Sequence, residues 1–390
     1  MDFSITQEQA SMIETARRLG RRFGLDYWRE LDATHGFPHE MWKEVCKAGF
    51  CGAILPERHG GGGLGMLDLV MLLEALIEEG AGLPLAQLFM LNPVFGGHAI
   101  VRFGNERMQR EILPRLISGS ALMSFALTEP DAGNNSLNIR SIARADGRGW
   151  RLSGQKTWIT GIETATHLLV VARTTATDAV PKRTHGISMF LIDAQREGIR
   201  SSRISKAGTH PLPSCTVFLD DVRVEPDELL GTLDKGWHDL LELLNGERII
   251  TAAGLVGTGR LAIRLAVNYA NSREIFGNRP IGSYQGVQFP LATASAALTC
   301  AALVNRRAAW AMDRGEPFGS DANVAKFSAA EAAFTACDRA MRSMGGMGYA
   351  SEYHVERLWR DARVFAMAPI PQEMILSFIA VHDLGLPRSY

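Results

Sequence analysis

The sequence has no excess of charge of either sign and no uninterrupted apolar run that we expect to reach the length of a membrane span. Its 390 residues carry 41 Lys and Arg against 42 Asp and Glu, a formal net charge of -1. This balance gives no long-range field that would attract a nucleic acid or an anionic membrane surface. We therefore expect neither as a partner, and we expect local groups to hold any anionic ligand.

Cysteine is also scarce, and its spacing excludes common metal sites. The cysteines are scattered, without the CxxC or Cys/His spacings of zinc sites, which predicts reduced core thiols and no bound metal. They are Cys46, Cys51, Cys215, Cys300 and Cys337. The N-terminus mixes Arg pairs with acidic residues and lacks an apolar signal region, which argues against a signal or transit peptide. The expected location is a reducing compartment, the cytoplasm.

Periodicity along the chain changes twice. Helical spacing of apolar residues runs from Thr6, a candidate N-cap, to about residue 116, and short β-rich runs follow to about residue 224. Long helical patterns return from Trp237 onward. Because the chain is long for one core, the order predicts an α+β fold in three domains: residues 1–119 helical, 120–230 mostly antiparallel β, and 231–390 helical.

A run of glycines from Gly60 to Gly63 resembles a nucleotide-binding loop in composition. It does not follow a strand within a βαβ unit, which dinucleotide and phosphate loops require. A turn between helices is the favoured interpretation.

Seven segments occur in an order and spacing that together are specific. They are PERHGGGGLG, SFALTEPDAGNNS, LSGQKTWIT, FLDDVRV, YANSREIFGNRPIGSYQGVQF, MRSMGGMGY and RLWRDARVFAM. With them, the chain resembles the acyl-CoA dehydrogenase family over essentially its whole length. The resemblance implies an N-terminal helical domain, a middle β domain and a C-terminal four-helix bundle. It also implies FAD near a subunit interface, usually in a homotetramer.

The same resemblance assigns flavin contacts to two segments. The segment that would lie along the flavin contains Phe125, Leu127, Thr128 and Asn134. Its backbone amides and the Thr128 hydroxyl would bond the pyrimidine edge and tune the cofactor. In the second segment Trp158 would pack on the ring system, followed by Ile159, and Thr160 would bond near N5. Taken alone, TWIT fits an ordinary strand with an amphipathic Trp equally well, but the accompanying TEP and SGQK favour flavin.

A second group resembles the residues that reach the FAD of a neighbouring subunit. Arg273 matches the arginine at the pyrophosphate, a role that suits its planar fork, with Phe276 on the adenosine side and Gln285 nearby. A solvated arginine at a helix C-terminus is the alternative. Gly345 and Gly346 match a double glycine where the cofactor approaches closely. Preceding them, Arg342 occupies a position where the family usually has Gln.

The usual catalytic base of the family is missing. Pro369 occupies the position of the Glu in the YEGT sequence, and proline also lacks the N–H that would bond the thioester carbonyl, unless Ile370 supplies it. Glu247 falls on the alternative base position of the family, between Asn245 and Arg248, and these two residues would contact substrate together with Asn134. A solvated Glu–Arg pair is the local alternative, but the loss at Pro369 favours Glu247 as base.

These residues support three interpretations of function. The first is FAD-dependent oxidation of an acyl-CoA substrate to the 2-enoyl-CoA, with Glu247 as α-proton base, hydride transfer to flavin N5 and an electron-transferring flavoprotein as acceptor. The second is altered chemistry on the same fold, either an enoyl-CoA reductase or a flavin monooxygenase. The third is a subunit that binds FAD or partner chains without turnover.

Overall fold

The N-terminal region is helical, as predicted. The computed structural model describes residues 4–389. Thr6 caps the first helix with a capping box: its hydroxyl accepts from the Gln9 amide at 3.1 Å, and the Gln9 side chain accepts from the Thr6 amide at 3.1 Å. The helices of this region are α1 Gln7–Arg22, α2 Leu25–Thr34, α3 His39–Lys47, α4 Met66–Glu78, α5 Pro84–Phe89, α6 Ala99–Phe103 and α7 Leu113–Ser118. A π-helical segment, Met90–His98, joins α5 to α6.

The glycine run forms a turn between α3 and α4, which confirms that interpretation. Its backbone folds back on the preceding residues, with the Gly62 amide bonded to the Gly52 carbonyl at 2.9 Å and the Gly63 amide bonded to the Leu55 carbonyl at 2.9 Å. These amides are therefore satisfied within the protein and do not form a phosphate cradle.

The middle region is a sheet in the order β6-β7-β3-β2-β4-β5-β8, with β1 beside β4. Its strands are β1 Met123–Ala126, β2 Ile142–Asp146, β3 Gly149–Thr160, β4 His167–Arg173, β5 Ile187–Asp193, β6 Ile199–Arg203, β7 Ser214–Val224 and β8 Leu229–Leu230. Pairing is antiparallel as predicted, except that β4 is parallel to both β1 and β2. The alternating apolar side chains of β3, β4, β5 and β7 form a core of their own.

The C-terminal region contains three long helices and two short ones. The helices are α8 Gly236–Ser272, α9 Gln285–Asp313, α10 Gly319–Met344, α11 Val355–Arg363 and α12 Gln372–Phe378, and a small hairpin, β9 Glu274–Ile275 with β10 Arg279–Pro280, follows α8. Small residues let neighbours approach α8 closely. A Cβ on Gly254 would lie 2.6 Å from the Ala86 Cβ, and one on Gly259 would lie 2.5 Å from Leu298. The predicted bundle is thus confirmed, with α11 as its short fourth helix.

Helix α9 corrects two expectations from sequence. Both α8 and α9 are long and apolar enough, by length and composition, to cross a membrane, so apolar runs of that length do exist here. The most apolar stretch of α8 is 78% buried in the bundle, but that of α9 is only 28% buried. Cys300, expected in the core, is exposed on α9, whereas the other four cysteines are buried. Within this chain, α9 therefore presents an uncovered apolar face.

Candidate active site

The ends of β1 and β3 bring the two flavin-resembling segments side by side. The Ser124 hydroxyl donates to the Thr160 carbonyl at 2.8 Å, and the Thr157 amide donates to the Thr128 carbonyl at 2.9 Å. Pairing of β3 with β7 shifts register between Lys156 and Ile159, and a bulge of this kind re-aims side chains. Trp158 lies in that irregularity with φ 60° and a 54% exposed side chain.

A buried ion pair between Lys156 and Glu129 holds these two segments together. The Lys156 ammonium lies 2.8 Å from a Glu129 oxygen and 2.9 Å from the Leu127 carbonyl. Glu129 also accepts from the Arg140 and Ser141 amides at 2.6 and 3.0 Å. Burial lowers the pKa of Lys156 to about 8, while Glu129 opposes that change. Burial raises the pKa of Glu129, but Lys156 and the hydrogen bonds outweigh it and lower that pKa overall.

Three of the predicted flavin residues point their side chains into the protein core. Phe125 stacks on Phe95 with ring centroids 4.3 Å apart and planes 11° apart, and Leu127 and Ile159 are buried. Any contact from Leu127 or Ile159 to a ligand is therefore made by backbone atoms. Thr128 is half-buried, and Asn134 is exposed.

Glu247 lies in the first half of α8 with 5% of its surface exposed. Burial raises the pKa of its carboxyl to about 8, against the opposing effects of Arg248 and Lys326. Lys326, from α10, has no exposed surface and donates to the Ile370 carbonyl at 2.6 Å. Among residues 4–389, the Ile370 amide has no hydrogen-bond partner. Lys326 thus lowers the pKa of the buried Glu247 carboxyl and bonds the residue that carries the unpaired amide.

A cavity of about 520 Å³ lies beside this helix turn. Asn245 and Arg248 line it from α8, and the Arg248 guanidinium donates to the Asn245 side-chain oxygen. Ile370, His382 and Arg388 line other walls. The volume is in the range of small-molecule sites, so the predicted substrate residues border a space that a ligand can enter.

The π-helical segment connects the Trp158 region with the Glu247 region. A Cβ on Gly161, directly after Thr160, would lie 3.7 Å from Leu91, and a Cβ on Gly246 would lie 3.5 Å from Val94. Leu91 and Val94 are one turn apart in Met90–His98. The end of β3 and the Glu247 turn of α8 therefore contact the same short segment.

The remaining predicted residues lie at the opposite end of the bundle. Arg273 follows the last residue of α8, 26 positions after Glu247, which corresponds to about 39 Å along a helix. Gln285 begins α9, and Arg342, Gly345 and Gly346 lie at or just beyond the end of α10. Because α9 runs opposite to α8 and α10, all these termini share one end. The structure therefore separates the predicted residues into two groups.

Family models match nearly the whole chain. The N-terminal domain model of acyl-CoA dehydrogenases matches residues 6–120, the middle domain model residues 124–222, and the C-terminal domain model residues 234–382. The chain belongs to the acyl-CoA dehydrogenase family.

Several individual proteins resemble this acyl-CoA dehydrogenase along most of their length. Acyl-CoA dehydrogenase FadE12 of Mycobacterium tuberculosis is 38% identical over 390 residues, covering 100% of this chain and 99% of that protein. The 3-(aryl)acrylate reductase of Clostridium sporogenes is 34% identical, covering 87% and 88%. The structure of a glutaryl-CoA dehydrogenase complex with glutaryl-CoA superimposes with a TM-score of 0.94 at 30% identity, covering 100% and 98%.

Membership in this oxidoreductase family makes FAD the cofactor, and the geometry fits a bound flavin dinucleotide. Trp158 and Phe276 hold aromatic side chains outward, 54% and 88% exposed, on backbone with φ of 60° and 42°. Gly345 has φ 60°, and a Cβ on Gly345 or Gly346 would meet nothing within 4 Å. Outward aromatic rings on strained backbone and glycines facing open space are consistent with a ligand that covers them.

Proposed function

We propose that this member of the acyl-CoA dehydrogenase family oxidises an acyl-CoA thioester to the 2-enoyl-CoA, with Glu247 as the base that removes the α-proton. The buried carboxyl of Glu247 carries this proposal, because its pKa of about 8 is close to the value that proton abstraction requires near neutral pH. Pro369 occupies the position of the usual base and offers no carboxylate. Glu247 is thus the carboxylate that chemistry of this kind needs.

The thioester carbonyl also needs hydrogen bonds, because negative charge develops on its oxygen as the α-proton leaves. We propose that the Ile370 amide replaces the donor lost at Pro369. Two observations support this: the Ile370 amide is unpaired within residues 4–389, and Lys326 fixes the carbonyl of the same residue at 2.6 Å. Asn245 and Arg248, at the cavity wall, would then contact the CoA portion of the substrate.

Bound FAD would supply the two-electron acceptor for the β-hydride. We propose that backbone groups of 125–128, the Thr128 hydroxyl and Asn134 hold the pyrimidine edge, while Trp158 packs against the ring and Thr160 bonds near N5. The buried Lys156–Glu129 pair supports this role, because it fixes both segments relative to each other. Reoxidation by an electron-transferring flavoprotein completes the proposed cycle.

Assembly into a homotetramer would complete each cofactor site. Arg273 and Glu247 are about 39 Å apart along α8. This distance is far greater than the length of the ribityl chain between a flavin ring and its pyrophosphate. The residues at this end of the bundle would therefore bind the FAD of a neighbouring subunit; they are Arg273, Phe276, Gln285, Arg342, Gly345 and Gly346. The uncovered apolar face of α9 offers surface for such contacts. A stable monomer that retains stoichiometric FAD in analytical ultracentrifugation would exclude this arrangement.

Anaerobic flavin reduction tests the assignment of Glu247. Glu247→Gln keeps size and hydrogen bonding but cannot accept a proton, so bleaching by acyl-CoA should slow on the order of 10²–10⁴-fold while FAD and acyl-CoA still bind. Glu242→Gln is a matched control, because Glu242 lies on the same helix but at the surface, paired with Arg102. Bleaching of Glu247→Gln at nearly the wild-type rate would show that another group takes the proton.

Reduction of a 2-enoyl thioester is a second candidate function. It is favoured by one observation, the 34% identity to a protein named 3-(aryl)acrylate reductase. Glu247 would then deliver a proton to the α-carbon, the reverse of its role as base. Mixing chemically reduced enzyme with enoyl-CoA, and oxidised enzyme with acyl-CoA, in separate anaerobic experiments compares the two directions. Rapid reoxidation by enoyl-CoA without bleaching by acyl-CoA would favour the reductase.

A further inference from the structure

Thr160 ends a chain of hydrogen bonds that begins at the partly buried ammonium of Lys206. The Lys206 nitrogen lies 2.9 Å from the Thr209 hydroxyl, 2.6 Å from the Leu212 carbonyl and 3.2 Å from the Ser214 hydroxyl. An ammonium has three N–H groups, so each has an acceptor. The Ser214 hydroxyl then lies 3.2 Å from the Thr160 hydroxyl. None of Lys206, Ser214 and Thr209 was singled out from the sequence.

The sheet fixes the geometry of this chain of hydrogen bonds. Ser214 begins β7 and Thr160 ends β3, and the two are direct partners in the antiparallel ladder. The Gly161 amide bonded to the Pro213 carbonyl at 2.9 Å continues that ladder by one step. The Ser124 hydroxyl holds the Thr160 carbonyl from the other side. Since Ser214 is only 5% exposed, little water can compete for its hydroxyl.

The charge on Lys206 gives the hydrogen bonds a direction. An ammonium donates and cannot accept, so the Ser214 oxygen accepts from Lys206 and its own hydrogen is available for the Thr160 oxygen. The hydroxyl hydrogen of Thr160 is then free to point away from Ser214, its partner in the sheet. Burial lowers the pKa of Lys206 to about 8, and Asp361 and Cys215 oppose that change. Asp361 is held beside Lys206 by the Thr209 amide at 2.6 Å.

We propose that Lys206 and Ser214 are positioning residues that make the Thr160 hydroxyl a hydrogen-bond donor to N5 of oxidised FAD. The proposal rests on the placement of Thr160 beside N5 in the proposed function. A hydroxyl that accepts a hydrogen bond becomes a stronger donor and a weaker acceptor. Oxidised flavin has a lone pair at N5, whereas reduced flavin carries N–H there and needs an acceptor. The Lys206–Ser214–Thr160 relay therefore favours oxidised FAD and lowers its midpoint potential.

The midpoint potential of FAD-loaded enzyme, measured without acyl-CoA, tests this role. Ser214→Ala and Lys206→Met should each shift the potential in the positive direction and change the visible absorption band of the flavin. The double variant should shift it no further than Ser214→Ala alone, because both changes interrupt one relay. Ser214→Thr keeps a hydroxyl and should restore the wild-type potential. In a Thr160→Val background, Ser214→Ala should have no effect.

Arg203→Met is the matched control for charge. Arg203 lies on β6, where it pairs across the ladder with Cys215 and forms an exposed ion pair with Glu163. Its loss removes a nearby positive charge but no hydrogen bond of the relay, so the potential should stay close to wild type.

Several outcomes would overturn the proposal. An unchanged potential in Ser214→Ala would do so, as would additive shifts in the double variant, which indicate an effect of charge through space. A shift in Ser214→Ala that persists in the Thr160→Val background would remove Thr160 from the relay. If Lys206→Met loses FAD, the Ser214→Ala and Ser214→Thr pair decides. Failure of Glu247 as base would leave these potentials unaffected, so the two proposals fail separately.

Discussion

Replacing Glu247 with glutamine should stabilise the protein, and the gain should grow with pH. Burial raises the pKa of Glu247 from 4.5 to about 8. Between these values the folded chain keeps a proton that the unfolded chain has released, so the stability of the wild type falls as pH rises. Below about pH 4.5 both states are protonated, and above about pH 8 both are ionised and the loss is complete.

The expected size of the gain follows from the same pKa. A difference between 4.5 and about 8 corresponds to about 5 kcal/mol of unfolding free energy, because each pKa unit is worth about 1.4 kcal/mol. Glutamine is neutral throughout and carries no such cost. The value of about 8 already includes the attraction of Arg248 and Lys326, which opposes the effect of burial. The difference between variant and wild type that arises from this titration should therefore be below about 1 kcal/mol at pH 5 and reach about 4–5 kcal/mol at pH 8.5.

Urea unfolding of the FAD-loaded proteins at several pH values measures this difference. Subtracting wild type from variant at each pH removes the contribution of titrating groups that do not interact with Glu247. Lys326, whose pKa Glu247 raises, contributes to the difference near pH 8. Glu242→Gln, a surface change on the same helix, should differ from wild type by less than about 1 kcal/mol at every pH. If the Glu247→Gln difference does not grow between pH 5 and pH 8.5, the carboxyl does not experience the burial described above.

Three further results are expected. The rate of flavin reduction by acyl-CoA in stopped-flow experiments should rise about tenfold per pH unit below pH 8 and level off above it, because only ionised Glu247 accepts a proton; a flat profile from pH 6 to 9 would contradict this. Lys156→Met leaves Glu129 buried without its cation and should lower the unfolding free energy by about 3–5 kcal/mol, and adding Glu129→Gln should recover part of it. Gly345→Ala should lower the free energy of unfolding, measured by thermal denaturation, by about 1–2 kcal/mol, because φ is 60° there. Gly286→Ala, in a helix, should not lower it.

Features that depend on local sequence could be predicted. The helix–sheet–helix order followed from apolar periodicity, the Thr6 cap from a hydroxyl at the start of the first helical pattern, and the glycine turn from the lack of a preceding strand. The seven sequence motifs indicated the family, and the family indicated the cofactor. Each of these signals is contained in a short stretch of chain, and tertiary packing did not override them.

Features that depend on strand register and tertiary packing could not be predicted from the sequence. Lys156 contacts Glu129, and Thr160 contacts Ser214, across 27 and 54 residues. Both contacts require the pairing of particular strands, including a bulge whose position no apolar pattern indicates. Similarly, α9 has the composition of a core helix, so its uncovered face and the exposed Cys300 appear only once its neighbours are in place.

The location of Glu247 within a bundle helix also affects how such sequences can diverge. Glu247 lies on α8, which packs on α10 and on the π-helical segment, and it is not part of the chain between Val364 and Pro371. That stretch forms the rim of the cavity through Ile370 and leads into α12. Under the proposed assignments, substitutions along the rim that leave the Ile370 amide in place can reshape which thioesters enter while the proton-abstracting group stays in register. Selection for new substrates can then proceed largely independently of selection for the reaction itself.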